Sequence, residues 1–114
     1  MKIVRSEQKI PFEAKDGSEI RELLRSESER MSLAEATVRE ETKLHFHKTS
    51  DEIYYILEGG GVMEIEGERR EVSEGDAVFI PSKKKHRIYS GKNEKVRFLC
   101  ICAPPYSDED TVMV

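Results

Sequence analysis

The sequence predicts an all-β domain, a sandwich or barrel of short strands. Turn-forming residues recur along the chain at Asp16-Gly17, Gly59-Gly60-Gly61, Gly67, Gly75-Asp76, Pro81, Gly91 and Pro104-Pro105. The segments between them run to roughly 5–8 residues, the usual length of a strand. No interior linker, low-complexity tract or repeat interrupts them, so the 114 residues form one domain spanning 1–114 with a core of modest size.

The elements follow in order. Ser18 to Arg25 can be read as a helix. Leu33 to Arg39, with Ala34, Ala36 and Val38 alternating, reads as a strand. Further strands are expected at Glu52 to Leu57, Val62 to Glu66, Glu68 to Val72, Ala77 to Ile80, Arg87 to Ser90 and Val96 to Cys102. Both faces of EIYYIL are mostly apolar: Tyr54 and Ile56 share one face with Glu52, and Ile53, Tyr55 and Leu57 share the other. A strand with one wet face alternates polar and apolar residues. This one should be covered on both sides, by the chain's own N-terminal strand or by a second subunit, and a homodimer is the expectation. In VRFLCIC, Cys100 and Cys102 point to one face and read as two small buried side chains in a reducing compartment. The C-terminal PPYSDEDTVMV carries enough apolar residues to pack rather than hang free.

Charged residues make up 37% of the chain and the formal net charge is −4, which argues against a nucleic-acid partner. The opening MKIVRSEQKIPFEAKDG has no long apolar run, so neither a signal peptide nor a membrane span is expected and the default location is cytoplasmic. Gln8 and Asn93 are the only side-chain amides, while Lys, Arg and Glu abound. Thermophile proteins show that bias.

The chemistry concentrates in LHFHKTSDE, Leu44 to Glu52, which holds two of the three histidines. If this stretch is extended, His45 and His47 project to one side and Phe46 to the other. Two imidazoles on one face can reach a single ion. The loop KTSD lets the chain turn back and bring Glu52 in on the next strand. His86 follows DAVFIPSKKK and stands at the start of RIYS. Three imidazoles and a carboxylate suit a borderline divalent ion: Mn, Fe, Ni, Cu or Zn. A pair of histidines two residues apart can equally be unrelated surface or core residues. The surrounding pattern decides.

That pattern resembles the cupin family, whose first motif runs G-x5-H-x-H-x(3,4)-E-x6-G. Here His45, Phe46 and His47 are followed by four residues, Glu52, six more and Gly59, while Arg39 takes the place of the leading glycine. The second motif runs G-x5-P-x-G-x2-H-x3-N. Gly75, Pro81 and His86 fit it, with Lys83 in place of the glycine and Ser90 in place of the asparagine. The two motifs together span residues 39–90. The resemblance implies a double-stranded β-helix, or jelly-roll barrel, with one divalent transition metal per chain held near one mouth by His45, His47, Glu52 and His86. It also implies that such small domains pair as dimers. An octahedral ion with four protein ligands keeps two positions for water, oxygen or substrate, as catalysis requires.

Tyr54 should face inward beside Glu52, with Ala36, Val38 and either Val78 or Phe79 nearby. Tyr54 is the candidate catalytic residue, as hydrogen-bond donor or acid, although a tyrosine on such a strand can also be plain core. Lys83, Lys84 and Lys85 are either a solvated loop or a cationic rim that draws in an anionic substrate. The leading expectation is a metal-dependent enzyme acting on a small, oxygen-rich, anionic molecule, by isomerase/epimerase or dioxygenase/decarboxylase-like chemistry. The alternatives are a non-enzymatic module binding a sugar or metabolite and a metal-free structural barrel.

Overall fold

Along Asp51–Glu58 every second side chain from Glu52 to Ile56 is buried and its neighbours are not. That period of two gives a strand one inward and one outward face, and the molecule is assembled from strands of this kind. The computed structural model describes residues 1–114. It contains β1 (Phe12–Glu13), β2 (Glu19–Leu24), β3 (Ser32–Val38), β4 (His45–His47), β5 (Asp51–Glu58), β6 (Gly60–Ile65), β7 (Glu68–Ser73), β8 (Ala77–Ile80), β9 (His86–Ser90), β10 (Val96–Ala103) and β11 (Thr111–Met113), with a short 3₁₀ turn at Ser6–Gln8. A six-stranded sheet runs β1-β2-β3-β10-β5-β8 and a five-stranded sheet runs β11-β4-β9-β6-β7. The pairings are antiparallel. The sheets face one another in a jelly roll, as the sequence predicts.

Between the sheets lies the core. Ala36, Tyr54, Ile56 and Phe98 come from the larger sheet, and Met63 and Ile88 from the smaller. The Tyr54 and Phe98 rings pack with centroids 4.3 Å apart. Of the two candidates beside the strand before His86, Val78 packs against this core, whereas Phe79 points outward and is exposed.

The stretch read as a helix is strand β2. Its Ile20, Leu23 and Leu24 suit a helical stripe as well as a strand, and local preference cannot separate the two. Tertiary pairing does: β2 hydrogen-bonds to the edge of β3, with Ile20 opposite Ala36 and an irregularity between Glu22 and Leu24. Arg21 fastens the preceding segment to it by donating from Nη1 to the carbonyls of Ser6 and Lys9. The C-terminal residues also pack. Strand β11 pairs with β4, placing Thr111 opposite His47.

Two backbone positions account for the motif residues that fit and fail to fit. Gly59 has φ +76°, and a Cβ there would sit 2.2 Å from the Lys95 carbonyl oxygen. Only glycine fits. Lys83 has φ +70°. It adopts the left-handed conformation that a glycine favours, so the turn keeps its shape despite the substitution.

The outer face of β5 has no cover within one chain. Ile53 is 39% exposed, Tyr55 41% and Phe79 59%. Strands β1 and β2 extend the sheet edgewise, beyond β3, and do not lie across that face. No helix is long and apolar enough to cross a membrane.

Candidate metal centre

Strand β4 is only three residues long, and its alternation buries His45 and His47 while Phe46 turns away. His45 pairs directly with His86 at the start of β9. The larger sheet contributes Glu52, inward-facing on β5. The four side chains thus meet between the sheets, each 3% exposed or less. Imidazole centroids are 4.3 Å apart for His45 and His86, 5.4 Å for His45 and His47, and 5.5 Å for His47 and His86. One ligand atom from each of the three rings lies within 4.8 Å of the others. Glu52 Oε1 is 3.2 Å from His47 Nε2 and 3.3 Å from His86 Nε2.

Hydrogen bonding fixes which nitrogen of each ring is free. His45 Nδ1 lies 2.8 Å from the Lys43 carbonyl and His86 Nδ1 2.9 Å from the Lys84 carbonyl. A carbonyl can only accept, so both rings carry a proton on Nδ1. His47 Nδ1 lies 3.1 Å from Thr111 Oγ1, and that hydroxyl already donates to the Ser107 carbonyl, 2.9 Å away. Thr111 therefore accepts, and His47 too is protonated on Nδ1. Nε2 of His45 and of His86 therefore carries a free lone pair in the neutral ring, whereas His47 Nε2 donates to Glu52 Oε1 at 3.2 Å in the metal-free protein and turns its lone pair to the same centre once that proton leaves. His86 Nε2 is fully buried and, despite its closeness to Glu52, has no hydrogen-bond partner. A buried nitrogen without a partner is costly, and a divalent cation would resolve the cost. The donor set fits such an ion, and the partners on Nδ1 are those expected of metal-binding imidazoles.

The electrostatics agree. Burial alone would raise the Glu52 carboxyl, but His47 and His86 more than offset it and hold the group well below the usual carboxylate range. Burial opposes the charged form of His47, yet its hydrogen bond to Glu52 and the charge there raise its pKa. His45 goes the other way, lowered first by burial and then by His86.

The site opens into a cavity of about 60 Å³, room for about two water-sized groups. Tyr54 lines it, as expected. Burial and the Glu52 charge push the Tyr54 phenol well up, so at neutral pH it keeps its proton and can only donate or accept a hydrogen bond. The side chains of Lys83, Lys84 and Lys85 are exposed and do not line the cavity. This run acts through its backbone: Lys83 N–H donates to the His47 carbonyl, and the Lys84 carbonyl orients His86. The cation that does line the cavity is Arg25.

Five residues beside the site carry no sequence signal for that place. Asp16 Oδ2 lies 3.8 Å from His45 Nε2, its other oxygen held by the Ser18 amide and hydroxyl at 2.9 and 2.6 Å. Tyr106 packs edge-on against His47 at 5.9 Å. Thr111 orients that same ring. Cys100 and Cys102 are not inert filler: their sulfurs lie 3.1 and 3.3 Å from Glu52 Oε2. Burial first and then the Glu52 charge raise both thiols and keep them protonated. The cysteine spacing gave their common face; only the strand register, Cys102 opposite Glu52, shows what that face meets.

Comparison with known proteins places this arrangement. Residues 32–102 match the family described as Cupin domain. The protein MJ1618 of Methanocaldococcus jannaschii is 49% identical over 97% of this chain and 94% of its own length. The solved structure of a predicted oxalate decarboxylase from Thermotoga maritima is 28% identical and superposes with a TM-score of 0.80, covering 90% of this chain and 99% of that one. The polyketide cyclase RemF of Streptomyces resistomycificus is likewise 28% identical, with a TM-score of 0.79 over 96% of this chain and 89% of its own.

Proposed function

The chain belongs to the cupin family, and from that premise we propose that it is a metalloenzyme binding one divalent ion (Mn, Fe, Ni, Cu or Zn) through His45, His47, Glu52 and His86 and converting a small oxygen-rich anion. The observation that carries this reading is the convergence of three imidazoles whose Nδ1 atoms are all engaged, around a buried His86 Nε2 with no partner. The ion would act as a Lewis acid on a substrate oxygen, or as the site of oxygen activation.

The protein's own residues supply the rest. The cavity volume limits the substrate, or its reacting part, to a few non-hydrogen atoms, which suits a short carboxylate or the end of a longer oxygenated molecule. The two solved relatives act, by their names, on molecules of those two kinds: a predicted oxalate decarboxylase and a polyketide cyclase. Tyr54 would donate a hydrogen bond to a substrate oxygen without surrendering its proton. Arg25 lines the cavity paired with Glu22 at 3.3 Å and would have to exchange that partner to meet a negative charge entering the cavity, a role that the exposed Lys83–Lys85 side chains can support only at longer range. Apolar lining from Ala34, Ala36 and Phe98 keeps bulk water out.

Binding without turnover is the second reading. A buried phenol that keeps its proton can orient a ligand by hydrogen bonding alone, which is enough for binding. Turnover separates the two. Protein loaded with each ion in turn is offered carboxylates, diketones, phenols and sugar phosphates, following product and oxygen uptake. Conversion that disappears in His45→Ala/His47→Ala supports the enzyme. Saturable binding with no conversion in any combination supports the module.

The assembly we favour is a homodimer. Leu33, Ile53, Tyr55, Phe79, Leu99 and Ile101 are neighbours on the outer face of the larger sheet, because directly paired residues share a face. A contiguous apolar patch on an otherwise highly charged surface marks a contact surface, and a second copy of the same face is its simplest complement.

A further inference from the structure

We infer that Cys100 and Cys102 are positioning residues: their two thiols hold the second oxygen of Glu52, so that the carboxylate offers a single oxygen to the bound ion. The inference rests on the metal-centre reading above. It starts from strand register. On the inward face of the larger sheet, Cys102 stands directly opposite Glu52 and Cys100 opposite Tyr54. Both sulfurs therefore reach the same carboxylate, at 3.1 and 3.3 Å from Oε2. The other oxygen, Oε1, is the one that meets His47 and His86. The two oxygens have separate duties.

Glu52 is 3% exposed, and the thiols are the only protein donors that Oε2 has. A thiol is a weak, long-reaching donor. It can satisfy an oxygen from either side without drawing the carboxylate away from the imidazoles. Held in this way, Glu52 takes up one coordination position, and the position that a bidentate carboxylate would occupy stays available to substrate. Partners of this kind on metal ligands are worth about 10–100-fold in metal affinity.

The test compares Cys100→Ala/Cys102→Ala with Cys100→Ser/Cys102→Ser, the second of which keeps a donor at each position. Cobalt(II) affinity is measured by competition with a chelator, alongside the visible spectrum of the bound ion. Thermal unfolding without metal checks the fold, and Cys100→Ala and Cys100→Ser alone serve if a double variant does not fold. The alanine pair is expected to bind cobalt(II) about 10–100-fold more weakly. Its visible bands should also shift as the second oxygen of Glu52 replaces a bound water, and the serine pair should recover most of both. Equal affinity and spectra in the alanine pair and the parent would overturn the inference. So would equal losses in both pairs, or a sulfur-to-cobalt charge-transfer band in the parent, which would make the thiols ligands. If the parent itself takes up no cobalt(II), the metal-centre reading fails and this inference with it. If the parent loads normally and only the cysteine predictions fail, the metal centre stands.

Discussion

His45 and His47 share a strand face two residues apart yet sit in opposite electrostatic settings. Glu52 raises His47, while burial and His86 lower His45. In the metal-free protein their effects on stability therefore have opposite signs with pH. Protonated His47 adds stability that is fully present below the ordinary imidazole value of about 6.5 and is lost as pH rises through its higher folded value. Protonating His45 costs stability, and that cost vanishes as pH rises from its lowered folded value to about 6.5. Denaturant unfolding of metal-free His47→Gln and His45→Gln between pH 5 and pH 8 checks this. Relative to the parent, His47→Gln should be least stable at the acidic end, and His45→Gln should gain there. Parallel curves for the two variants would show that the pair is electrostatically equivalent. At this scale the sequence displayed His45, His47 and Glu52 because their spacing is local, and His86 because a second motif, itself local in spacing from Gly75 to Ser90, surrounds it. Asp16, Tyr106 and the thiols lie 29 residues or more from His45 or Glu52 along the chain, and nothing short of the fold brings them in.

Strand-level structure explains why distant segments matter to the site. The sequence predicts that the C-terminal segment packs, without indicating a partner strand; as β11 it pairs with β4 and delivers the Thr111 hydroxyl to His47 Nδ1. Thr111→Val should fold normally, because it keeps the β-branched shape, and should bind the ion about 10–100-fold more weakly. Thr111→Ser should retain most of the affinity. Equilibrium competition with a chelator measures both, and equal affinity in Thr111→Val would show that the hydroxyl does not orient the ring. The turn before β9 offers a second test. Lys83 lies in the left-handed region, so Lys83→Gly should be stabilising by up to about 1–2 kcal/mol, while Lys83→Val, β-branched, should destabilise. Denaturant midpoints decide it; equal effects of the two changes would place the importance of Lys83 in its side chain instead of its backbone. Most strands were legible because turn residues bracket them and alternation marks their faces. Strand β2 was not, since its apolar residues satisfy both periods and only the free edge of β3 selects one. Strand β11 is short, and its partner lies far away in sequence.

For the molecule as a whole, the two-sided apolar strand was the sequence's clearest sign that one chain leaves a surface unfinished. The fold removes one of the two covers considered, because the N-terminal strands lie at the sheet edge. The other, a second copy, is tested by sedimentation at micromolar concentration. The parent should run as a dimer and Phe79→Asp as a monomer that still binds metal, since Phe79 is outward-facing and remote from the cavity lining. A monomeric parent would count against the pairing. The candidate metal centre lies between the two sheets, with His45, His47 and His86 on one and Glu52 on the other, so its geometry is a property of the closed barrel and not of either sheet. The most direct measurement is anomalous diffraction from crystals of the metal-loaded protein, collected above and below the absorption edge of the ion. One strong peak per chain is expected, at coordination distance from Nε2 of His45, His47 and His86 and from Oε1 of Glu52. A peak elsewhere, or none in protein saturated with each of the candidate ions, would contradict it.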